Sequence, residues 1–281
     1  MNIFVIKLNR LLIFSLLLGI FCASTFIVFS KNNDDIPLPI VMYHSILKDE
    51  SRAGDYVVPV RQFKEDIDFL LSNGYTPVTV KTLTDYVYNN SPLPDKPVMI
   101  TFDDGFYNNY EYVYPYIKEK NIPIVISIVG KYTDDYTKTG EANPMYSYLR
   151  KCDIEEMNKS GLVEFQNHSY NLHSLENNAS MKRYNESDED YKMRLTGDLN
   201  EVQNMLRSIT GNYPQAFTYP FGKISNQSTD IIKEMGFIAS LSCEEGINYI
   251  NHSPDCLYKL KRYNRFSRYT TYDFFKKMLP Q

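Results

Sequence analysis

Short apolar runs alternate with stretches of helical periodicity from residue 36 onward. Apolar runs of this kind are typical of buried strands, and apolar residues spaced by three and four are typical of amphipathic helices. The predicted strands are residues 39–43, 75–78, 98–102, 123–129, 163–165, 216–219, 237–241 and 257–263. The predicted helices are residues 63–71, 79–88, 106–120, 153–159, 190–209, 229–235 and 272–279. Strands and helices that alternate in this way indicate a parallel sheet.

The number of strands indicates an α/β fold in which the sheet closes into a barrel rather than staying open. A (β/α) barrel of about 250 residues is one domain, so residues 37–281 are assigned to a single domain. No predicted strand is followed by Gly-x-Gly-x-x-Gly, which removes the main support for a dinucleotide-binding open sheet. The polar segments 131–150 and 176–189 are expected to be loops at the barrel rim.

The first thirty residues predict a membrane anchor. Lys7 and Arg10 precede a stretch without charge at residues 11–30, which is long enough to cross a bilayer. The apolar stretch continues through residues 26–29 without a small-x-small exit, so we expect an uncleaved signal anchor at residues 1–30 and a linker at 31–36. Positive flanks stay in the cytoplasm, so the domain after the linker is expected to be extracellular. Cleavage near residues 23–25, which would release a secreted protein, is the alternative.

Charge and cysteine content exclude some classes of protein. The 281-residue chain has a net charge of -4 and no long Lys/Arg run, so a nucleic-acid partner is not expected. Beyond the anchor there are three cysteines, Cys152, Cys243 and Cys256, without a Cys-x-x-Cys spacing, which disfavours a zinc-thiolate or redox motif. Cys243 and Cys256 are compatible with either a disulfide or free thiols.

The strand at residues 98–102 ends at two adjacent carboxylates and a glycine, Asp103-Asp104-Gly105. Neighbouring side chains at a strand end point to opposite sides, and two anions this close repel each other. A divalent metal bound to one carboxylate would leave the other as a base, an arrangement suited to hydrolysis. The alternative is a turn that caps the helix after it.

Two of the four histidines lie in one segment, His168 to His173. A separation of five lets both imidazoles point to one place only where the chain curves, as at a strand end. Together with a distant carboxylate they would make a His-His-Asp metal set. The alternative is one histidine at a strand end and another at the surface.

Two further strand ends carry candidate residues. His44 follows the first strand, where an imidazole can protonate a leaving group, or can simply make one hydrogen bond. Tyr219-Pro220-Phe221-Gly222 ends a later strand, where a backbone N–H can bind an oxyanion, although most Pro-Gly turns have no such role. His252 lies in a turn-rich stretch and is expected to be exposed.

Taken together, these motifs resemble the polysaccharide deacetylase family of NodB-type carbohydrate esterases. The resemblance rests on Thr101-Phe102-Asp103-Asp104-Gly105, on His168-Ser169-Tyr170-Asn171-Leu172-His173 and on Tyr219-Pro220-Phe221-Gly222, in the family's order. Met42-Tyr43-His44 is similar to the branch that acts on poly-N-acetylglucosamine, in which the last motif is circularly permuted to the N-terminus.

The resemblance implies a distorted (β/α)7 barrel and a divalent metal, most often zinc. It assigns the metal to Asp104, His168 and His173, the general base to Asp103, the general acid to His44, and an oxyanion donor to the backbone N–H of Phe221. Many members have an arginine where this chain has Thr218. Arg262 or Arg265 is therefore expected to orient the catalytic aspartate, with Tyr219 as further support.

The expected activity is removal of N-acetyl groups from an extracellular amino-sugar polymer, with poly-N-acetylglucosamine favoured. In this hypothesis Asp103 takes a proton from the attacking water and His44 protonates the departing amine. Peptidoglycan N-deacetylation, O-acetyl ester hydrolysis and glycan binding without turnover are the alternatives. The chain has no tryptophan, so tyrosines would have to stack on sugar rings.

Overall fold

The computed structural model describes residues 35–176 and 178–280. The predicted anchor at residues 1–30 lies outside the described residues. Among the residues that are described, no helix has the length and apolar character needed to cross a bilayer.

The described part of the chain alternates short strands with helices. Its strands are β1 (Ile36–Leu38), β2 (Ile40–Tyr43), β3 (Ser45–Leu47), β4 (Val57–Pro59), β5 (Thr76–Val78), β6 (Pro97–Phe102), β7 (Ile124–Ile128), β8 (Val163–Asn167), β9 (Ala216–Thr218), β10 (Ala239–Leu241), β11 (Asn248–Ile250) and β12 (Tyr263–Asn264). Its α-helices are α1 (Val60–Ser72), α2 (Val80–Asn89), α3 (Tyr114–Lys120), α4 (Gly130–Thr139), α5 (Lys151–Lys159), α6 (Asp188–Thr210), α7 (Ser228–Glu234) and α8 (Thr271–Met278).

The main sheet is parallel and runs in the order β10-β9-β8-β7-β6-β2-β12, with β5 also paired to β6. One segment joins its two ends. The N–H of Ser242, just after β10, donates to the carbonyl of Leu260 at 2.8 Å, and the N–H of Arg265, just after β12, donates to the carbonyl of Met42 in β2 at 2.9 Å. The sheet is therefore curled in a manner consistent with a (β/α) barrel.

The central strands of the sheet are buried on both faces. Every residue of β6 and β7 is buried, as expected for parallel strands covered on both faces. Helix α1 buries Phe63, Ile67 and Leu70 from one face, and Phe69 stacks on Phe275 of α8 with ring centroids 5.3 Å apart. This contact packs the first helix of the domain against its last.

Several predicted elements differ from the structure. The predicted loop at residues 131–150 contains α4, whose mostly polar residues do not show an apolar stripe; Gly140 ends the helix at a φ of 72°. The predicted strand at residues 257–263 is reduced to β12, preceded by a 3-10 turn at Pro254–Leu257. The helix predicted from residue 106 begins as a π-turn at Asn109–Val113.

Two small pairings have no counterpart in the prediction. Strands β1 and β11 pair antiparallel, and β3 pairs with β4 in parallel. Each of these strands has three residues, which is too few to show a period of two.

The strands of the main sheet have their carboxyl ends on the same side, as parallel pairing requires. His44, Asp103 and His168 directly follow β2, β6 and β8 there.

Candidate active site

The turn after β6 gives the two aspartates separate directions. The N–H of Asp103 continues the ladder by donating to the carbonyl of Tyr43 at 3.0 Å. Asp104 and Gly105 then adopt left-handed backbone angles, with φ of 68° and 74°. A Cβ at position 105 would lie 3.0 Å from a methyl carbon of Ile128, so glycine also allows close approach to β7.

Asp104 faces both histidines of the His168 to His173 segment. Its Oδ1 lies 3.4 Å from Nε2 of His168 and 3.1 Å from Nε2 of His173. One ligand atom from each of the three side chains lies within 4.8 Å of the others. The structure therefore brings together the three residues predicted to hold a metal. His252 packs on Tyr86 instead, with ring centroids 4.4 Å apart.

The chain between the two histidines curves because α6 holds it. Ser169 has a φ of 71°, and the carboxylate of Asp198 accepts hydrogen bonds from the N–H groups of Tyr170 at 2.7 Å and Asn171 at 2.8 Å. Sequence reasoning missed Asp198. The signal was present, because this acidic residue directly precedes Leu199 on the apolar face of a long amphipathic helix.

The donor set fits a cation. Nδ1 of His168 lies 2.8 Å from the carbonyl oxygen of Thr218, which can only accept, so this nitrogen carries the proton and Nε2 presents a lone pair. That lone pair faces Oδ1 of Asp104, a buried atom without a hydrogen-bond partner among the described residues. A divalent metal would satisfy both acceptors.

The second aspartate is held by Arg262. The guanidinium donates to Oδ1 of Asp103 at 2.7 Å and to Oδ2 at 2.8 Å, and both side chains are almost fully buried. Nε of Arg262 donates to the carbonyl of Ser242 at 2.8 Å, which fixes the plane of the guanidinium. Burial raises the pKa of Asp103, but the charge of Arg262 outweighs it and lowers the pKa overall. Asp103 is therefore an ionised carboxylate with a fixed orientation.

Two residues expected as support lie elsewhere. Arg265 donates to both carboxylate oxygens of Asp66 in α1, at 2.8 and 2.9 Å, and the hydroxyl of Tyr43 donates to the same carboxylate at 2.8 Å. The hydroxyl of Tyr219 pairs with Ser228 at 3.1 Å, inside an apolar cluster. These side chains pair with Asp66 and Ser228 and make no hydrogen bond to Asp103. The buried Asp66 was also missed, although it interrupts the apolar stripe of α1.

His44 lies at the carboxyl end of β2. Its Nδ1 is buried and has no hydrogen-bond partner among the described residues, and its ring meets the exposed Tyr56 edge-on at 4.9 Å between centroids. Burial lowers the pKa of His44, while the charges of Asp103 and Asp104 oppose that effect. The resting imidazole is neutral at pH 7.

Phe221 occupies a left-handed turn after β9, with φ 55° and ψ 16°. Its ring is 42% exposed and lies 4.4 Å from the ring of His173 between centroids.

The two cysteines considered for a disulfide have other contacts. Sγ of Cys243 lies 3.9 Å from a guanidinium nitrogen of Arg262. Cys256 donates to the carbonyl of Asn251, and no disulfide joins it to Cys243.

Comparison with known sequences gives a family and several named relatives. The pattern of the polysaccharide deacetylase family matches residues 90–240. The chain is 25% identical over 228 residues to poly-beta-1,6-N-acetyl-D-glucosamine N-deacetylase of Escherichia coli K12, covering 74% of this chain and 34% of the relative. It is 29% identical over 192 residues to the protein of that name from Staphylococcus aureus MSSA476, covering 68% and 62%. The chain thus spans about a third and about three fifths of these relatives' lengths.

Solved structures give the same architecture. A de-N-acetylase from Aggregatibacter actinomycetemcomitans aligns with a TM-score of 0.73 at 23% identity, covering 86% of this chain and all of that one. A Streptococcus pyogenes deacetylase in complex with acetate aligns with a TM-score of 0.70 at 21% identity, covering 88% of this chain and all of that one. At these identities the likeness shows the fold.

Proposed function

Because this chain belongs to the polysaccharide deacetylase family, we propose that it is a metal-dependent hydrolase that removes N-acetyl groups from an amino-sugar polysaccharide. We infer that poly-β-1,6-N-acetylglucosamine is the substrate, since both sequence relatives carry that name. We take the fold to be the family's distorted (β/α)7 barrel. One observation carries the proposal: a carboxylate that faces two imidazoles, Asp104 with His168 and His173, lies beside a second carboxylate fixed by an arginine.

Asp104, His168 and His173 would hold the metal, and zinc suits one carboxylate and two imidazoles with positions left open. Such an ion, when bound, supplies Lewis-acid polarisation of the acetamide carbonyl and a more acidic water. Thr218 keeps His168 in the required tautomer through its backbone carbonyl. Because Arg262 donates to both oxygens of Asp103, the side chain of Thr218 is not needed for the role of the family arginine.

Asp103 is the proposed general base. Arg262 uses both carboxylate oxygens, but each oxygen keeps a further lone pair that can accept a proton from water. Because Arg262 lowers its pKa, Asp103 is ionised and ready to accept. The arginine that positions the proposed base thus comes from the segment next to β12 rather than from position 218. The absence of an arginine at position 218 therefore gives little support to the alternative of a protein that binds glycans without turnover.

His44 is the proposed general acid. Its imidazole is neutral at rest, so it takes up a proton from solvent and donates that proton to the departing amine, while the proton that Asp103 accepts from water returns to solvent after the reaction. The backbone N–H of Phe221, next to His173, is the proposed oxyanion donor. Residues 1–30 are proposed as the anchor that keeps the enzyme on the cell membrane with its catalytic domain outside, where such a polymer lies.

Acetate release by the purified full chain tests this function. The substrates are poly-β-1,6-N-acetylglucosamine, peptidoglycan and an O-acetylated glycan, each with and without a chelator. We expect chelator-sensitive release of acetate from the first polymer. Release from peptidoglycan alone would move the substrate to the cell wall, and release of acetate only from O-acetylated glycans would identify an esterase. Retention of the polymer without release would identify a binding protein.

A further inference from the structure

Four aromatic side chains form a continuous surface next to the metal triad, here called the aromatic wall: Phe106, Tyr132, Tyr136 and Tyr148. Tyr148 is at its centre. Its ring stacks on Phe106 at 4.8 Å and contacts Tyr132 at 4.4 Å and Tyr136 at 5.6 Å between centroids. Tyr132 and Tyr136 are one helical turn apart on α4, so both face Tyr148.

The aromatic wall is attached rigidly to the aspartate turn. Phe106 and Tyr148 form an antiparallel bridge, and the N–H of Leu149 donates to the carbonyl of Gly105 at 2.8 Å. Helix α4 is equally fixed, since a Cβ on Gly130 would lie 2.6 Å from the ring of Tyr170. A ligand that stacks here would find the rings already ordered, which lowers the entropic cost of binding.

The wall begins at a metal ligand. The ring of Tyr132 meets that of His173 edge-on at 6.2 Å between centroids. Tyr132 and Tyr148 are only partly buried, so both keep ring surface open to solvent.

We propose that the aromatic wall binds the pyranose ring next to the sugar whose acetamide reacts, and so makes the enzyme specific for a polymer over a single sugar. The inference rests on the proposed function. A pyranose presents an apolar C–H face and a rim of hydroxyls, and tyrosine offers a flat apolar ring with a polar end that matches both. The chain has no tryptophan to serve instead.

The test replaces Tyr132 with alanine in the full chain. The matched control is Tyr249→Ala, because Tyr249 is 59% exposed and lies on β11, which pairs with β1 ahead of the amino end of β2, away from the site. The substrates are an N-acetylglucosamine hexasaccharide with β-1,6 linkages and the methyl glycoside of N-acetylglucosamine. We expect Tyr132→Ala to lower kcat/KM on the hexasaccharide roughly five- to tenfold, the usual worth of one aromatic contact. The loss on the methyl glycoside should be smaller than the loss on the hexasaccharide, because a single sugar leaves the neighbouring position empty, and the Tyr249→Ala control should match wild type on both substrates.

Equal values for wild type and Tyr132→Ala on the hexasaccharide would overturn the inference, and so would an equal loss on both substrates. Tyr132→Phe keeps the ring and is expected to retain most of the preference. A second measurement separates this inference from the proposed function. Calorimetry measures the affinity of Asp103→Asn and of Asp103→Asn/Tyr132→Ala for the hexasaccharide. This measurement requires no turnover. Weaker binding by the double variant supports the wall even if wild type releases no acetate, and equal binding refutes it.

Discussion

The two halves of the site are built from different parts of the chain. The proposed metal ligands, Asp104, His168 and His173, all lie within residues 90–240, the part that matches the family pattern. The groups that serve proton transfer depend on the flanks. His44 precedes the matched part, and Arg262, the partner of Asp103, follows it.

The difference lies in how each half is held together. The two histidines are five residues apart, and Asp198 of the next helix curves the chain between them. Asp103 and Arg262 are 159 residues apart and meet only because the segment before β12 joins the two ends of the sheet. The metal half therefore depends on local turns, while the proton-transfer half depends on closure of the sheet. Substitutions should separate the two halves.

The largest expected effect comes from the metal half. The double variant His168→Ala/His173→Ala leaves a single carboxylate, so we expect loss of stoichiometric zinc and loss of acetate release to background. Zinc is measured by elemental analysis of the purified protein. The matched control is His252→Ala, which removes a histidine that packs on Tyr86 and should keep one zinc per chain. Undiminished zinc in the double variant would refute the ligand assignment.

Asp103→Asn should remove the base and leave the metal. The amide keeps the shape of the carboxylate but cannot accept the proton, so we expect kcat to fall on the order of a hundredfold or more with zinc still bound. Steady-state acetate release, together with zinc content, checks this. Wild-type activity in this variant would show that another group is the base.

Arg262→Met should act through the base. The arginine lowers the pKa of Asp103, so its removal raises that pKa, and the ionised base persists only at higher pH. We expect the acid limb of the pH profile of kcat/KM to move to higher pH, and kcat at neutral pH to fall roughly ten- to a hundredfold through misplacement of the base. Arg262→Lys keeps the charge and should recover part of the loss. An unmoved acid limb in Arg262→Met would argue against a positioning role.

The smallest effect on catalysis is expected for Arg265→Met, the matched counterpart three residues on. It removes the partner of the buried Asp66, so the free energy of unfolding should fall by about 3–5 kcal/mol. Well below the melting temperature, kcat/KM and its pH profile should remain within about twofold of wild type, because Arg265 does not contact Asp103. Denaturant unfolding and steady-state kinetics measure the two quantities. A shifted pH profile would show that this pair also serves the site.

The sequence predicted which strand ends carry the candidate residues more fully than it predicted how the sheet closes. Alternation of strands and helices indicated the parallel sheet, and residues at strand ends are brought together by that sheet whatever the details of the loops. His44, Asp103 and His168 therefore emerged as candidates, and the structure places them at the same end of the sheet. The short strands and the polar helix α4 lack the periodicity on which such reasoning depends.

The choice between Arg262 and Arg265 was beyond the sequence. Side chains three residues apart on an extended segment point to opposite faces, so only one of the two arginines can lie on the inner face of the curled sheet. Which one does so depends on the register of β12, and that strand has only two residues. Asp66 decides the outcome by pairing with Arg265, and this contact joins helix α1 to the end of the chain.

The position of Arg262 also makes the proposed base depend on the carboxyl-terminal part of the chain. Asp104, His168 and His173 all precede Arg262 in the sequence, the last of them by about ninety residues. A chain cut short before Arg262 would keep the three proposed metal ligands and would leave Asp103 buried without the guanidinium that orients it.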